Sequence, residues 1–299
     1  MTPVLKDSEL EAQLDKEGYV VLPFLNESEV VYLVDLYNKH HTETKEGLYA
    51  TAHSSDRDFK MNLNFEILKQ FDRAIHQYFL NSRPLGGSYI TKYKGQNGSL
   101  LPHQDWSIVD EEQFRSFNIW IPLVDTTEEN GAICVLPHSH TLVKSFRGVN
   151  VPDPFYKISD YTWKYHQTLN MKAGEALLYD HRLLHASGIN QTEQPRLAVV
   201  FGIIPDKAEM RYHFLENGVI SEYESNLDFF FNFDILKGPQ GLKKLRDLEY
   251  TVNPLTEEDF DFLYLGIEKK KLVPIAEPIA QPTNTTKDGI WGKLKRLFS

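Results

Sequence analysis

A single cysteine, Cys134, in 299 residues leaves no disulfide within the chain. It sits in the apolar run Ala132-Ile133-Cys134-Val135-Leu136, which suits a small core side chain better than a reactive thiol. A cytoplasmic home is therefore expected. No stretch reaches the roughly 18 apolar residues of a spanning helix. The opening segment from Met1 to Glu9 is too polar and too acidic for a secretory leader. Positive charge is also scarce: the formal net charge is −10, so no nucleic-acid-binding surface is expected. No internal repeat is visible.

Apolar and aromatic side chains are plentiful. Hydrophobic residues make up 41% of the chain, enough to bury the core of one large domain with additions. The 18 Phe and 15 Tyr favour strands and a walled pocket.

Periodicity divides the chain. Asn26 followed by Glu29 is a capping-box pattern, and Val30, Leu33, Val34 and Tyr37 then mark one helix face. Phe65, Leu68, Phe71, Ile75 and Phe79 mark a second helix. Between the start and the cap, Gly18-Tyr19-Val20-Val21-Leu22-Pro23 reads as a short strand. From about Gly86, β-branched and aromatic runs alternate with Gly, Pro and Asn turns, as in a sandwich or barrel. The expected layout has four parts. Residues 1–85 form a helical segment and 86–208 a β core. Residues 209–272 form a helical extension and 273–299 a Pro-rich linker with a short tail. In that tail Ile290, Trp291, Leu294, Leu297 and Phe298 alternate with Lys293, Lys295 and Arg296. This basic amphipathic pattern over 290–298 suits weak contact with a membrane or a partner groove, but a frayed tail or one docked on its own core is the more ordinary reading.

The chemistry concentrates in four residues. His103 and Asp105 are two apart, so on a strand they share a face. His185 must come from another strand, which a sheet folded on itself can supply. Two imidazoles and one carboxylate can hold three adjacent positions on a six-coordinate iron, leaving the others open. Arg196, shortly after the last of these, suits a dicarboxylate because its fork grips a carboxylate through two hydrogen bonds. His-x-Asp is common by chance; the ordered set of four carries the reading.

Several segments together resemble the phytanoyl-CoA dioxygenase family of Fe(II)- and 2-oxoglutarate-dependent oxygenases. They are Pro102-His103-Gln104-Asp105, the run from Glu129 to His140, Gly174 to Asp180, and His185-Ala186-Ser187 followed by Arg196. His138 stands where the family usually has Gly. The resemblance implies a double-stranded β-helix, or jelly-roll, core flanked by N- and C-terminal helices. It implies that His103, Asp105 and His185 ligate Fe(II). Arg196 would pair with the distal carboxylate of 2-oxoglutarate, with Ser187 beside it and Trp120 and Asn118 on the co-substrate wall. The implied activity is hydroxylation of a C–H bond of a small organic substrate, using O2 and releasing succinate and CO2. Ascorbate would help in vitro. Related halogenases lack the carboxylate, so Asp105 favours hydroxylation. Tyr89, Thr91 and Tyr93 alternate before the motif, and one face of that strand could line the pocket. A non-catalytic jelly-roll protein that binds a metal or metabolite is the rival reading. A cupin-type isomerase or hydrolase is a third, and it would not need Arg196. The substrate is left open by the motif.

Overall fold

The computed structural model describes residues 2–41 and 46–268. The chain divides into two compact units, Met1–Leu255 and Thr256–Ser299. Among the described residues the strands of the first unit form three antiparallel sheets. Strand numbers follow the chain. The largest sheet has the order β1 (Tyr19–Pro23), β9 (Glu175–Asp180), β6 (Phe117–Pro122), β11 (Arg196–Pro205), β4 (Ser88–Lys92) and β2 (Leu48–Ala50), and β3 (Ser82–Pro84) also pairs with β11. A second sheet runs β5 (Leu100–His103), β10 (His185–Ser187), β7 (Ile133–Val135) and β8 (Gln167–Thr168). A third holds β12 (Met210–Glu216), β13 (Val219–Ser225) and β14 (Lys244–Leu248). Neighbours in the first two sheets are mostly distant in sequence, the crossing connectivity of a jelly roll.

Strand periodicity explains the layers. Val20, Leu22, Phe117, Ile119, Ile121, Leu178, Val199 and Phe201 face one way. They pack with Leu14 of α1 (Ser8–Glu17), Leu33 of α2 (Glu27–His40), and Leu63, Ile67 and Phe71 of α3 (Arg57–Tyr78). Phe71 stacks on Phe201 with ring centroids 4.6 Å apart. The intervening residues Trp120, Leu177, Tyr179 and Ala198 face inward and meet Ile133 and Val135 of the second sheet. The expected capping box is present: Asn26 accepts from the Glu29 amide, and Glu29 accepts from the Asn26 amide. Glu29 also binds Arg73 at 2.7 Å, tying α2 to α3.

Two expectations change. Residues 1–85 are not only helical, because β1, β2 and β3 complete the large sheet. Among the described residues of the helical extension expected over 209–272, most strand and helix residues belong to a sheet; α5 (Leu227–Asn232) lies between β13 and β14, after the short α4 (Ser159–Trp163) of the core, and only α6 (Glu257–Leu265) follows the sheet. Asn217 and Gly218 both take positive φ, 51° and 82°, and join β12 to β13 in a two-residue hairpin. The aromatic residues Tyr212, Phe214 and Tyr223 follow a strand period and not a helical one. In the second unit, α6 (Glu257–Leu265) begins at a Thr256–Asp259 capping box and ends at Gly266. The linker and tail expected over 273–299 lie outside the described residues. No described helix is long and apolar enough to cross a membrane.

Candidate metal and co-substrate site

The site begins with a register. β5 and β10 are antiparallel, with His103 directly opposite His185. Directly opposed residues share a face, so the two rings meet, with centroids 4.3 Å apart. Asp105 lies just past the end of β5. Its backbone N–H donates to the His181 carbonyl at 2.9 Å, which holds the chain extended there. One donor atom from each of His103, Asp105 and His185 lies within 4.8 Å of the others. The Nε2 atoms of His103 and His185 are 4.0 and 3.7 Å from the two Asp105 oxygens.

Both rings are oriented from behind. Nδ1 of His103 is 2.7 Å from the Leu101 carbonyl, and Nδ1 of His185 is 3.0 Å from the Leu183 carbonyl. A carbonyl can only accept, so each Nδ1 carries a proton, and each ring turns its Nε2 to the cluster. Burial holds His185 neutral, with its pKa pushed down to about 4 against the pull of Asp105. Burial alone would raise the Asp105 carboxyl. His185, His181, His103 and the Asn118 amide outweigh it, and the group stays below the ordinary carboxylate range.

Asn118 donates from Nδ2 to Asp105 Oδ2 at 2.7 Å. It stands opposite Tyr179 across β6 and β9, on the same strand face as Trp120, which brings its amide to the cluster. Arg196 is buried on the first residue of β11. Its guanidinium lies 5.1 Å from the Trp120 ring centroid and donates to the Gly131 carbonyl at 2.9 Å. Its Nε has no partner. Ser187 shares this region through Lys92, whose Nζ donates to its Oγ at 2.7 Å.

A family model for phytanoyl-CoA dioxygenase matches residues 15–198, more than half of the chain. The chain belongs to the phytanoyl-CoA dioxygenase family. A phytanoyl-CoA dioxygenase of Arabidopsis thaliana is 33% identical over 124 residues, covering 39% of this chain and 42% of the relative. A phytanoyl-CoA dioxygenase domain-containing protein 1 of Danio rerio is 28% identical over 133 residues, covering 42% and 46%. The matches thus span less than half the length of these curated relatives. Among solved structures, the epimerase SnoN in complex with Fe3+, alpha ketoglutarate and nogalamycin RO superposes with a TM-score of 0.50 at 18% identity. It covers 84% of this chain and 96% of its own, and supports the jelly-roll fold.

For a phytanoyl-CoA dioxygenase family chain, the departure at His138 has a backbone meaning. Its φ is 65°, the left-handed region that favours Gly. His138 is held there by the Lys16 carbonyl at 2.8 Å and by Glu17 at 3.3 Å. His181 is buried, with Nδ1 2.7 Å from Ser116 Oγ. The face of β4 bearing Tyr89 and Thr91 turns to the helices, where the Tyr89 hydroxyl donates to the Leu33 carbonyl. The other face reaches the site, through Lys92.

Three residues near the cluster were not singled out by sequence. Tyr179 Oη is 3.5 Å from His185 Nε2, and burial together with Asp105 keeps the phenol neutral. Lys92 is fully buried. Gly131 has φ 78°, and a Cβ there would lie 2.7 Å from the Gly188 oxygen and 2.8 Å from Lys92 Cδ. The run from Glu129 to His140 carried the family resemblance but gave no sign of this close approach.

Proposed function

We propose that this chain is an Fe(II)- and 2-oxoglutarate-dependent dioxygenase that hydroxylates a C–H bond of a small organic substrate, releasing succinate and CO2. The carrying observation is that two imidazole nitrogens and one carboxylate converge in the same interior as a buried arginine with an unpartnered Nε. The donor set fits divalent iron, which takes a facial pair of histidines with one carboxylate. When bound, the iron with 2-oxoglutarate and O2 supplies the oxidising chemistry. His103, Asp105 and His185 would hold the metal. Leu101 and Leu183 carbonyls would fix the imidazole tautomers, and Asn118 would orient the carboxylate. Arg196 would grip the distal carboxylate of the co-substrate, with its cationic face resting on Trp120. The inward layer of Ile133, Val135, Leu177 and Ala198 would keep water from that region. Asp105 supports hydroxylation over halogenation, since the carboxylate occupies the place a halide would need. The buried, free Cys134 supports a cytoplasmic setting.

The test is incubation with Fe(II), ascorbate and 2-oxoglutarate, with succinate quantified, followed by a metabolite screen for a mass gain of one oxygen. Succinate should form in the native chain and not in His103→Ala or His185→Ala. Metal binding without any succinate across the screen would favour the non-catalytic binding protein instead.

A further inference from the structure

Lys92 and Arg196 face each other across β4 and β11, so both side chains enter the interior from the same face. Lys92 is 0% exposed and Arg196 2% exposed. Among the described residues neither forms an ion pair with a carboxylate. Lys92 Nζ donates to Ser187 Oγ and to the Gly188 carbonyl. Arg196 donates one N–H to Gly131 and leaves Nε unmatched. Two buried basic groups side by side without a counter-ion cannot both stay charged cheaply, because each loses hydration and repels the other. A neutral side chain would serve as a strand tie at far less cost. The fold also makes room for this particular stem: Gly131, at positive φ, leaves the space that Lys92 Cδ fills.

We infer that Lys92 is a second cation for the distal carboxylate of the co-substrate, gripping it opposite Arg196. This rests on the reading of the Arg196 region as the 2-oxoglutarate site. An entering carboxylate would supply the missing counter-charge, and the Ser187 hydroxyl, whose Oγ accepts from Lys92, would donate its O–H to the anion. Burial and the Arg196 charge push the Lys92 ammonium down to about 6 without the anion. A bound carboxylate acts in the opposite direction and favours the charged form. The site would then select α-keto acids with a second carboxylate over those without one.

The experiment compares 2-oxoglutarate with 2-oxobutyrate, which keeps the keto-acid end and lacks the distal carboxylate. Binding to the anaerobic Fe(II)-loaded protein is read by calorimetry for the native chain, Lys92→Met and Lys92→Gln. The Gln variant retains a polar contact to Ser187 and serves if the Met variant fails to unfold cooperatively. We expect 2-oxoglutarate affinity to fall about ten- to a hundredfold in the variants, with 2-oxobutyrate changed by less than about twofold. Equal losses for both ligands would show that Lys92 only braces the end of β10. Unchanged 2-oxoglutarate affinity would leave Arg196 as the sole reader and overturn the inference alone. If the native chain itself shows no preference for 2-oxoglutarate, the co-substrate reading fails and the inference falls with it.

Discussion

Removing the Asn118 amide should weaken metal binding and leave co-substrate binding nearly intact. Asn118 gives Asp105 Oδ2 a 2.7 Å hydrogen bond. A hydrogen bond to a charged group is worth about 1.5–3 kcal/mol net. Partners of this kind behind a metal ligand typically account for about ten- to a hundredfold in metal affinity, which is ~1.4–2.7 kcal/mol. The two scales agree, so Asn118→Ala should lose metal affinity in that range. Asn118→Asp should do more, since it replaces a donor with a second carboxylate at the same place. Like charges at that range raise the Asp105 pKa, so metal binding by this variant should strengthen as pH rises. Anaerobic calorimetric titration with Fe(II), then with 2-oxoglutarate at saturating metal, separates the effects. A tenfold or greater loss in 2-oxoglutarate affinity with metal affinity unchanged would refute the argument and return Asn118 to the co-substrate wall.

Arg196→Lys keeps the charge but loses the fork, so 2-oxoglutarate affinity should fall about tenfold or more with little change in metal affinity, measured by the same titrations. Gly131→Ala should also weaken 2-oxoglutarate binding, because the added Cβ must displace Lys92 or Gly188 while the same residue's carbonyl holds Arg196; wild-type affinity would show that this backbone yields freely. His166 is pushed by burial down to about 4, below its ordinary value. Its neutral form is thus favoured by folding, and that stability is full above the unfolded pKa near 6.5 and lost as pH falls toward 4. It amounts to at most ~3 kcal/mol. Denaturant unfolding of the metal-free protein across that window should give a flatter pH slope for His166→Asn; an unchanged slope would remove His166 from the account.

The chain's chemistry was legible where spacing and strand parity act together. His103 and Asp105 share a face by their separation of two, and His185 needs only one antiparallel register to meet them. Lys92 was not legible, because a lysine near the end of a strand, followed by the exposed Lys94, reads as solvent-facing. Its burial follows from Gly131 and Ser187, which only the fold brings near. The bond from Asn118 to Asp105 was not legible either, since strand parity places Asn118 on a face with Trp120 but fixes no position along it. The extension after residue 209 was misread for a different reason. Its aromatic residues satisfy more than one period, and the Asn217-Gly218 turn, which decides for a hairpin, was passed over.

Among the described residues β5 is an edge strand, bonded within its sheet to β10 alone. It ends at His103, and Asp105 follows just past it with its N–H on the His181 carbonyl. An ion held by these residues and His185 would act as a rivet, fastening the rim of the barrel and closing a chain loop of roughly eighty residues. That loop contains β6 to β9, and so the middle of the large sheet. Reactivity and mechanical integrity would then rest on the same three side chains. Substitutions selected for heat resistance in the presence of metal would gather around the reactive centre, and the loss of a ligand would read as a folding defect as much as a catalytic one.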